Sequence, residues 1–390
     1  MASIDQDIAP ARTDRYTLDG DEAVEDRIDK DQKIIAKAVV AAVPPAHFRA
    51  LVLMGGYGRG EGGFTLIDGQ PAPYNDYDYF IVVADMDKTA IRDLAPRLAR
   101  IGKDLESEVG VEVDFAFLQA EKLPQAEYSL MHAEMIWGHR VVAGDCDVLK
   151  PMPAMPFATL PLGEFTRLML NRGSLLLINA QQLREGEITD PALRERFVKY
   201  MFKALLACTD AVLAAEGRFH PSYPIKNERL ATSRWTRRDE LLGQYQLALK
   251  AKFHPDYREH IKADLGEWQT RTVSLWSDAM RLLETRRLGL EIGDWSDYLN
   301  AGISKGQGQP GIKGIARNLA VTARDYGLPQ ILANPCWSRR YPRERLISTL
   351  PTLLTGASPT AALRRALAVG ADADWATATK AYLQQWARYA

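Results

Sequence analysis

The order of apolar and polar positions along the chain divides it in two. From Asp31 to Val43, apolar residues recur at helical spacing (Ile34, Ile35, Ala38, Val39, Ala42) until Pro44-Pro45 stops them. Phe48 to Met54 then reads as a short buried strand that runs straight into Gly55-Gly56, and Tyr77 to Ala84 reads as a second strand of the same kind. A helix over Lys88 to Glu108 follows, with Ile91, Leu94, Leu98, Ile101 and Leu105 on one face. Val111 to Leu118 alternates as a third strand, and Arg140 to Ala143 offers a fourth. Beyond the proline-rich stretch Lys150 to Pro156 the period becomes helical. Phe165–Leu183, Pro191–Glu216, Asp239–Lys252, Tyr257–Arg287, Thr360–Ala368 and Trp375–Tyr389 all carry that pattern.

The expected fold class is therefore α+β, with an N-terminal α/β domain and a larger C-terminal all-α region. The expected divisions are a loose acidic arm over 1–30, an α/β catalytic domain over 31–150 and a helical domain over 151–300. A Gly-rich linker with a C-terminal helical subdomain would fill 301–390. The Gly-rich stretch Gly302 to Gly314 lacks the order of a phosphate-binding P-loop and reads as a flexible linker.

Charge sharpens the division. The whole chain balances 49 Lys and Arg against 50 Asp and Glu, a formal net charge of −1, which excludes a chain-wide electrostatic attraction to nucleic acid. Residues 1–150 are strongly acidic and the remainder is basic, an asymmetry suited to cations on one side and a phosphate-bearing ligand on the other. Three widely spaced cysteines, Cys146, Cys208 and Cys336, form no CxxC and fit a reducing compartment. The N-terminus has no secretory h-region and no apolar run reaches the ~20 residues of a membrane span, so the expected location is cytoplasmic, with no membrane partner.

The candidate chemistry lies in Leu53 to Val83, LMGGYGRGEGGFTLIDGQPAPYNDYDYFIVV. Residues i and i+2 of a strand share a face, so Asp76 and Asp78 project together, an arrangement that calls for a cation between them. Two neighbouring carboxylates are hard oxygen ligands of the kind Mg²⁺ takes. Asp114, between Val113 and Phe115, completes a three-carboxylate set if its strand lies beside that of Asp78; Glu112 competes for the role less well. Gly55 and Gly56 allow close backbone approach to a phosphate, and Gly58-Arg59-Gly60 reads as a turn into a helix. Arg59 is then placed to hold triphosphate oxygens, with Glu61 as its partner or as a support for the turn. Tyr57 reads as an exposed turn aromatic with the option of stacking on a base, and Asn75 as a cap before the strand.

The combination GGYGRGE, then NDYDYF, then VDF on a later strand resembles the DNA polymerase β-type nucleotidyltransferase superfamily, in its bacterial branches. The resemblance covers about Leu53 to Leu118. It implies a nucleoside triphosphate substrate, two Mg²⁺ ions (or Mn²⁺ in their place) and transfer of a nucleoside monophosphate to an acceptor hydroxyl, with release of pyrophosphate. Asp76 and Asp78 would ligate both metals, and Asp114 the one that binds the acceptor oxygen. Lys203, on an early helix of the second region, would reach the triphosphate, as lysines there do in related enzymes. The spacing from Gly56 to Asp76 exceeds the family's, and the extra residues Thr65 to Tyr74, with Asp68-Gly69 as a turn pair, read as an inserted β-hairpin. A small-molecule acceptor is the first expectation. A protein side chain or an RNA 3′ end would use the same chemistry, and an inactive transferase fold serving as an interaction protein is the non-enzymatic reading. The long helices and eight tryptophans leave room for a homodimer interface.

Overall fold

A computed structural model describes residues 14–300, 303–307 and 311–389. The class is α+β, and the chain divides into two compact units. The first comprises Met1–Leu160, His220–Ile225 and Leu249–Asp256; the second comprises Pro161–Phe219, Lys226–Ala248 and Tyr257–Ala390.

The first unit begins with α1 (Glu22–Ala42), β1 (Phe48–Leu53) and a single helical turn, α2 (Gly55–Gly58). A hairpin of β2 (Phe64–Ile67) and β3 (Gln70–Pro73) leads to β4 (Tyr77–Val83), α3 (Lys88–Val109), β5 (Val113–Gln119), α4 (Leu130–Trp137) and β6 (Arg140–Gly144). The main sheet has the order β5-β4-β1-β6, with β4 and β5 parallel and the other pairs antiparallel. A parallel pair needs a crossover connection, and α3 supplies it. Asp87 caps the start of α3 by accepting from the Ala90 amide, and Gly110 at φ 87° ends it. The apolar stripe predicted for this helix packs in one core with α1 and with Tyr77, Tyr79, Ile81 and Val83 of β4.

Three expectations change. The acidic arm is not loose from Asp14 onward, while residues 1–13 lie outside the described residues. Helix α1 starts at Glu22, capped by Asp21, and the Glu25 carboxylate accepts from the amides of Tyr16 (2.6 Å) and Thr17 (3.1 Å). The division expected at 150 falls later: Met152 and Met155 of the proline-rich stretch are buried, and the first unit runs on to Leu160. The turn after Gly58 leads into β2, not into a helix. The inserted hairpin forms where the pattern placed it, with Asp68 (φ 52°) and Gly69 (φ 76°) at its tip.

The second unit is all-α. Its long helices α5 (Leu162–Glu185), α6 (Pro191–Ala215) and α9 (Leu265–Leu288) pack on one another, joined by α7 (Tyr223–Ala231) and α8 (Arg238–Phe253), which contribute residues to both units. Then come α10 (Trp295–Asn300), α11 (Gly311–Tyr326), α12 (Leu328–Ala333), α13 (Pro335–Ser338), α14 (Pro342–Leu354), α15 (Ala361–Leu367) and α16 (Trp375–Tyr389). Helix α9 starts at Leu265, later than its periodicity suggested, because Asp264 caps it there. Trp276 of α9 is fully buried and donates to the Met169 carbonyl at 3.1 Å.

Residues 301–390 do not separate as a subdomain but belong to the same compact unit. The flexible linker expected at Gly302–Gly314 falls partly on residues outside the description (302 and 308–310), and the described part differs from it. Lys305 and Gln307 are buried, and their amides and the Ser304 hydroxyl donate to the Glu344 carboxylate. Glu344 thus collects a glycine-flanked segment that composition alone marks as loose.

Candidate active site

Strand β4 has two unlike faces. Tyr77 and Tyr79 are buried, whereas Asp76 just before the strand and Asp78 within it are exposed. That alternation puts the two carboxylates on the side opposite the tyrosines. On the neighbouring parallel strand, Asp114 is the Cα partner of Asp78, and it too is exposed. Glu112 lies outside β5, where its carbonyl accepts from the Tyr77 amide. The three aspartates chosen from sequence therefore come from the starts of two neighbouring strands, two of them in register.

The buried face explains how the acidic one is held. The Tyr77 hydroxyl donates to Asp31 of α1 at 3.0 Å, and the Tyr79 hydroxyl donates to the Gln32 side-chain carbonyl. Asp31 also receives Arg27 at 3.0 Å, and Arg27 donates to the Val109 carbonyl at the end of α3. Burial holds the Asp31 carboxyl above its usual range, against the opposing pull of the Arg27 guanidinium and the Tyr77 hydroxyl. Burial likewise pushes the Tyr77 and Tyr79 hydroxyls upward, so both stay protonated donors. This support was not foreseen. Its signal was present in the alternation of DYDY, where two tyrosines that must turn inward need polar partners from a helix.

The glycine-rich loop lies against Asp78. Gly55 adopts φ 66°, a conformation that other L-residues rarely take, and a Cβ built on it would lie 3.6 Å from Asp78 Oδ2. The Met54 amide donates to the Asp78 carbonyl at 2.8 Å, so strand end and carboxylate strand are fixed together. Gly55 and Gly56 are half-buried, and the Gly56 carbonyl accepts from the Glu61 amide at 2.7 Å.

Tyr57 is neither exposed nor set to stack on a base. It is 1% exposed, and its hydroxyl donates to the Gly63 carbonyl (2.6 Å) while accepting from the amides of Tyr74 (3.0 Å) and Asn75 (3.2 Å). It staples the two ends of the inserted hairpin. Gly62 has no side chain because a Cβ there would fall 2.0 Å from the Tyr57 ring. Asn75 completes the closure by accepting from the Gly63 amide at 2.9 Å.

Arg59 is also turned inward. At 8% exposure it pairs with Glu61 (3.0 Å) and lies 5.0 Å from the centre of the Tyr223 ring, while the Glu61 carboxylate accepts from the Tyr223 amide at 3.2 Å. The side chain expected to hold phosphate oxygens instead shapes the loop and binds segment 220–225 to it. His220 in that segment is buried against Trp137. Lys203 is exposed on α6 and belongs to the second unit, so the first unit by itself does not bring it to the aspartates. Lys226, in the same second unit, is buried and bonded to Asp210 at 2.7 Å.

Among the described residues, no three His, Cys, Asp or Glu side chains are gathered as a finished metal centre. What the strands offer is an in-register pair of carboxylates with a third two residues upstream, a donor set whose hard oxygens fit Mg²⁺ or Mn²⁺. Set against family models, curated proteins and solved structures, the chain matches none of them.

Proposed function

We propose that this chain is a nucleotidyltransferase that moves a nucleoside monophosphate from a nucleoside triphosphate to an acceptor hydroxyl, with a small molecule as the acceptor class. The observation that carries the reading is the register of Asp78 with Asp114, with a side-chain-free glycine turn directly against Asp78. Two carboxylates forced side by side on a rigid, tyrosine-backed strand pair have little structural value of their own, because like charges at facing positions destabilise a sheet. They gain a purpose where positive charge and a polyphosphate must meet.

Asp76, Asp78 and Asp114 would hold the divalent cations, which when bound supply charge against the triphosphate and lower the pKa of an acceptor hydroxyl. The chain's own share is positional. Gly55 leaves room for a phosphate beside Asp78, Gly56 lets the loop close on the Glu61 backbone, and Tyr57, Asn75 and the Arg59–Glu61 pair keep that turn from shifting. In the transfer, the acceptor oxygen bonds to the α-phosphorus as the bond to the departing pyrophosphate breaks.

Calorimetric titration with ATP, GTP, CTP and UTP tests this reading, with and without Mg²⁺, on the wild type and on Asp76→Ala/Asp78→Ala. One nucleotide should bind only with the metal, and at least about tenfold more weakly to the variant, whose exposed substitutions leave the fold intact by circular dichroism. Absence of nucleotide binding by the folded wild type, or equal binding by the variant, overturns it.

A further inference from the structure

Helix α11 is packed inside out. Its buried side chains are polar: Asn318 donates to the Arg339 carbonyl at 3.0 Å and Thr322 to the Ser338 carbonyl at 3.4 Å. Its apolar side chains form a separate stripe on the exposed side. Ile312, Ile315 and Ala316 are exposed, with half-buried Leu319 continuing the same line at helical spacing. On α12, Leu328 and Leu332 stand one turn apart, and Ile312 and Leu332 are each 86% exposed. Branched aliphatics that project this far line no groove, and exposed apolar side chains clustered on two successive helices mark an interaction surface.

Charge narrows the choice of partner. Lys313, Arg317 and Arg324 follow one another at helical spacing along one border of the stripe. Between residues 311 and 340 there are five basic residues (these three with Arg339 and Arg340) and one acidic residue, Asp325. The Asp325 carboxylate is taken by Arg324 (2.7 Å) and Arg388 (2.6 Å), which hold it below the usual carboxylate range, so the row's charge towards a partner rests on Lys313 and Arg317. The chain leaves Leu332 directly into a cleft of about 310 Å³ whose lining includes Trp337, Arg340 and Arg365. Arg340 lies 4.9 Å from the centre of the Trp337 ring, and no carboxylate is among the described residues that line the cleft.

We propose that α11 and α12 form a peripheral docking surface for an anionic lipid bilayer. The aliphatic stripe enters the boundary of the acyl region, the basic row meets headgroup phosphates, and Trp337 lies at the depth where an amphipathic ring is favoured. No helix among the described residues is long and apolar enough to cross a membrane, so the contact is with the surface only. A second copy of this chain is the poorer occupant, because joining the same face of two copies would bring their basic rows together.

Co-sedimentation of the full chain with vesicles tests the surface without any nucleotide, so it stands or falls separately from the transferase reading. Vesicles containing phosphatidylglycerol should carry the protein down at low salt, and vesicles of phosphatidylcholine alone should not. Ile312→Asp/Leu332→Asp and Lys313→Glu/Arg317→Glu should each reduce partitioning at least about tenfold. All four positions are exposed, and circular dichroism checks that the fold is kept. Three results would each overturn the proposal: no sedimentation of the wild type with anionic vesicles, equal partitioning by both variants, or a lipid-free dimer that Ile312→Asp/Leu332→Asp dissociates.

Discussion

The two units bury polar groups in different ways. Beneath the aspartates of the first unit, nearly every buried polar atom has a partner. Tyr77 is bonded to Asp31, Tyr79 to Gln32, Tyr57 to three backbone groups, and Arg59 to Glu61; the Gln32 side-chain nitrogen is an exception. In the second unit, the Lys305 amine, the Gln307 side-chain carbonyl, two nitrogens of Arg345 and the Tyr326 hydroxyl are buried without a hydrogen-bond partner among the described residues. Satisfied networks fix one geometry, whereas buried polar groups left unpaired lower stability. A strand pair that must hold two carboxylates in register needs the first kind. In the Lys305 region Glu344 gathers the backbone, while the Lys305 amine and the Gln307 side-chain carbonyl stay without hydrogen-bond partners among the described residues.

The largest expected effect comes from breaking the satisfied side. Arg59→Met leaves the Glu61 carboxylate buried with only the Tyr223 amide, and losing one partner of a buried ion pair costs about 3–5 kcal/mol. Urea denaturation should show that loss, and Arg59→Met/Glu61→Met should recover most of it, because two apolar side chains of similar volume replace the pair. A single substitution that costs nothing would mean that the loop beneath the aspartates is not held as described, and the contrast between the units would fail.

The unsatisfied side should respond with the opposite sign. Lys305 is fully buried, its amine 4.5 Å from the centre of the Tyr298 ring. Burial pushes it down to about 8, with Arg340 and Arg287 adding repulsion and Glu344 and Glu284 partly opposing it. The unfolded chain therefore binds this proton more tightly than the folded one. The penalty is present in full below about pH 8 and is relieved as pH rises towards the ordinary lysine value near 10.5. Lys305→Met should gain about 1–3 kcal/mol at neutral pH. It should also lack the rise in stability that the wild type shows between about pH 8 and 10.5. Unfolding curves at pH 7, 9 and 10 on both proteins would separate this from a plain packing change, which carries no such slope.

The legibility of the sequence follows the same division. Strands β1, β4 and β5, helix α3 and the Asp-Gly hairpin were readable because period-2 and period-3.6 patterns are local, and the shared face of Asp76 and Asp78 because their spacing is; Asp114 joins them only through the β4–β5 pairing. The inward turn of Tyr57 and Arg59 was not, since it depends on Gly63, Tyr74 and Tyr223, residues that meet only in the fold. The start of α1 was missed because its first turns are charged: Glu22, Glu25 and Asp26 look like a solvated arm until Glu25 caps the backbone of Tyr16 and Thr17. Lys305 was hidden by its glycine-rich surroundings. Composition reports the flexibility of a loop but not the distant carboxylate, here Glu344, that gathers it.

The smallest effect bears most directly on the carboxylates. Asp114 faces Asp78 across the β4–β5 pair, and both side chains are exposed. Like charges at facing positions destabilise a sheet by a fraction of a kcal/mol, so Asp114→Asn should raise stability by about 0.5 kcal/mol without added metal. Magnesium should then reverse the order, because a cation bound only by the folded wild type stabilises it through mass action and gives the variant less. Thermal unfolding of the two proteins, with and without Mg²⁺, reads both halves of this prediction in one experiment. A variant less stable than the wild type in the absence of metal would show that Asp114 serves the sheet itself. A more stable variant, overtaken by the wild type once Mg²⁺ is added, would show that the sheet gives up stability at this position to keep a negative charge, the trade expected where a strand has been shaped for a ligand rather than for its own packing.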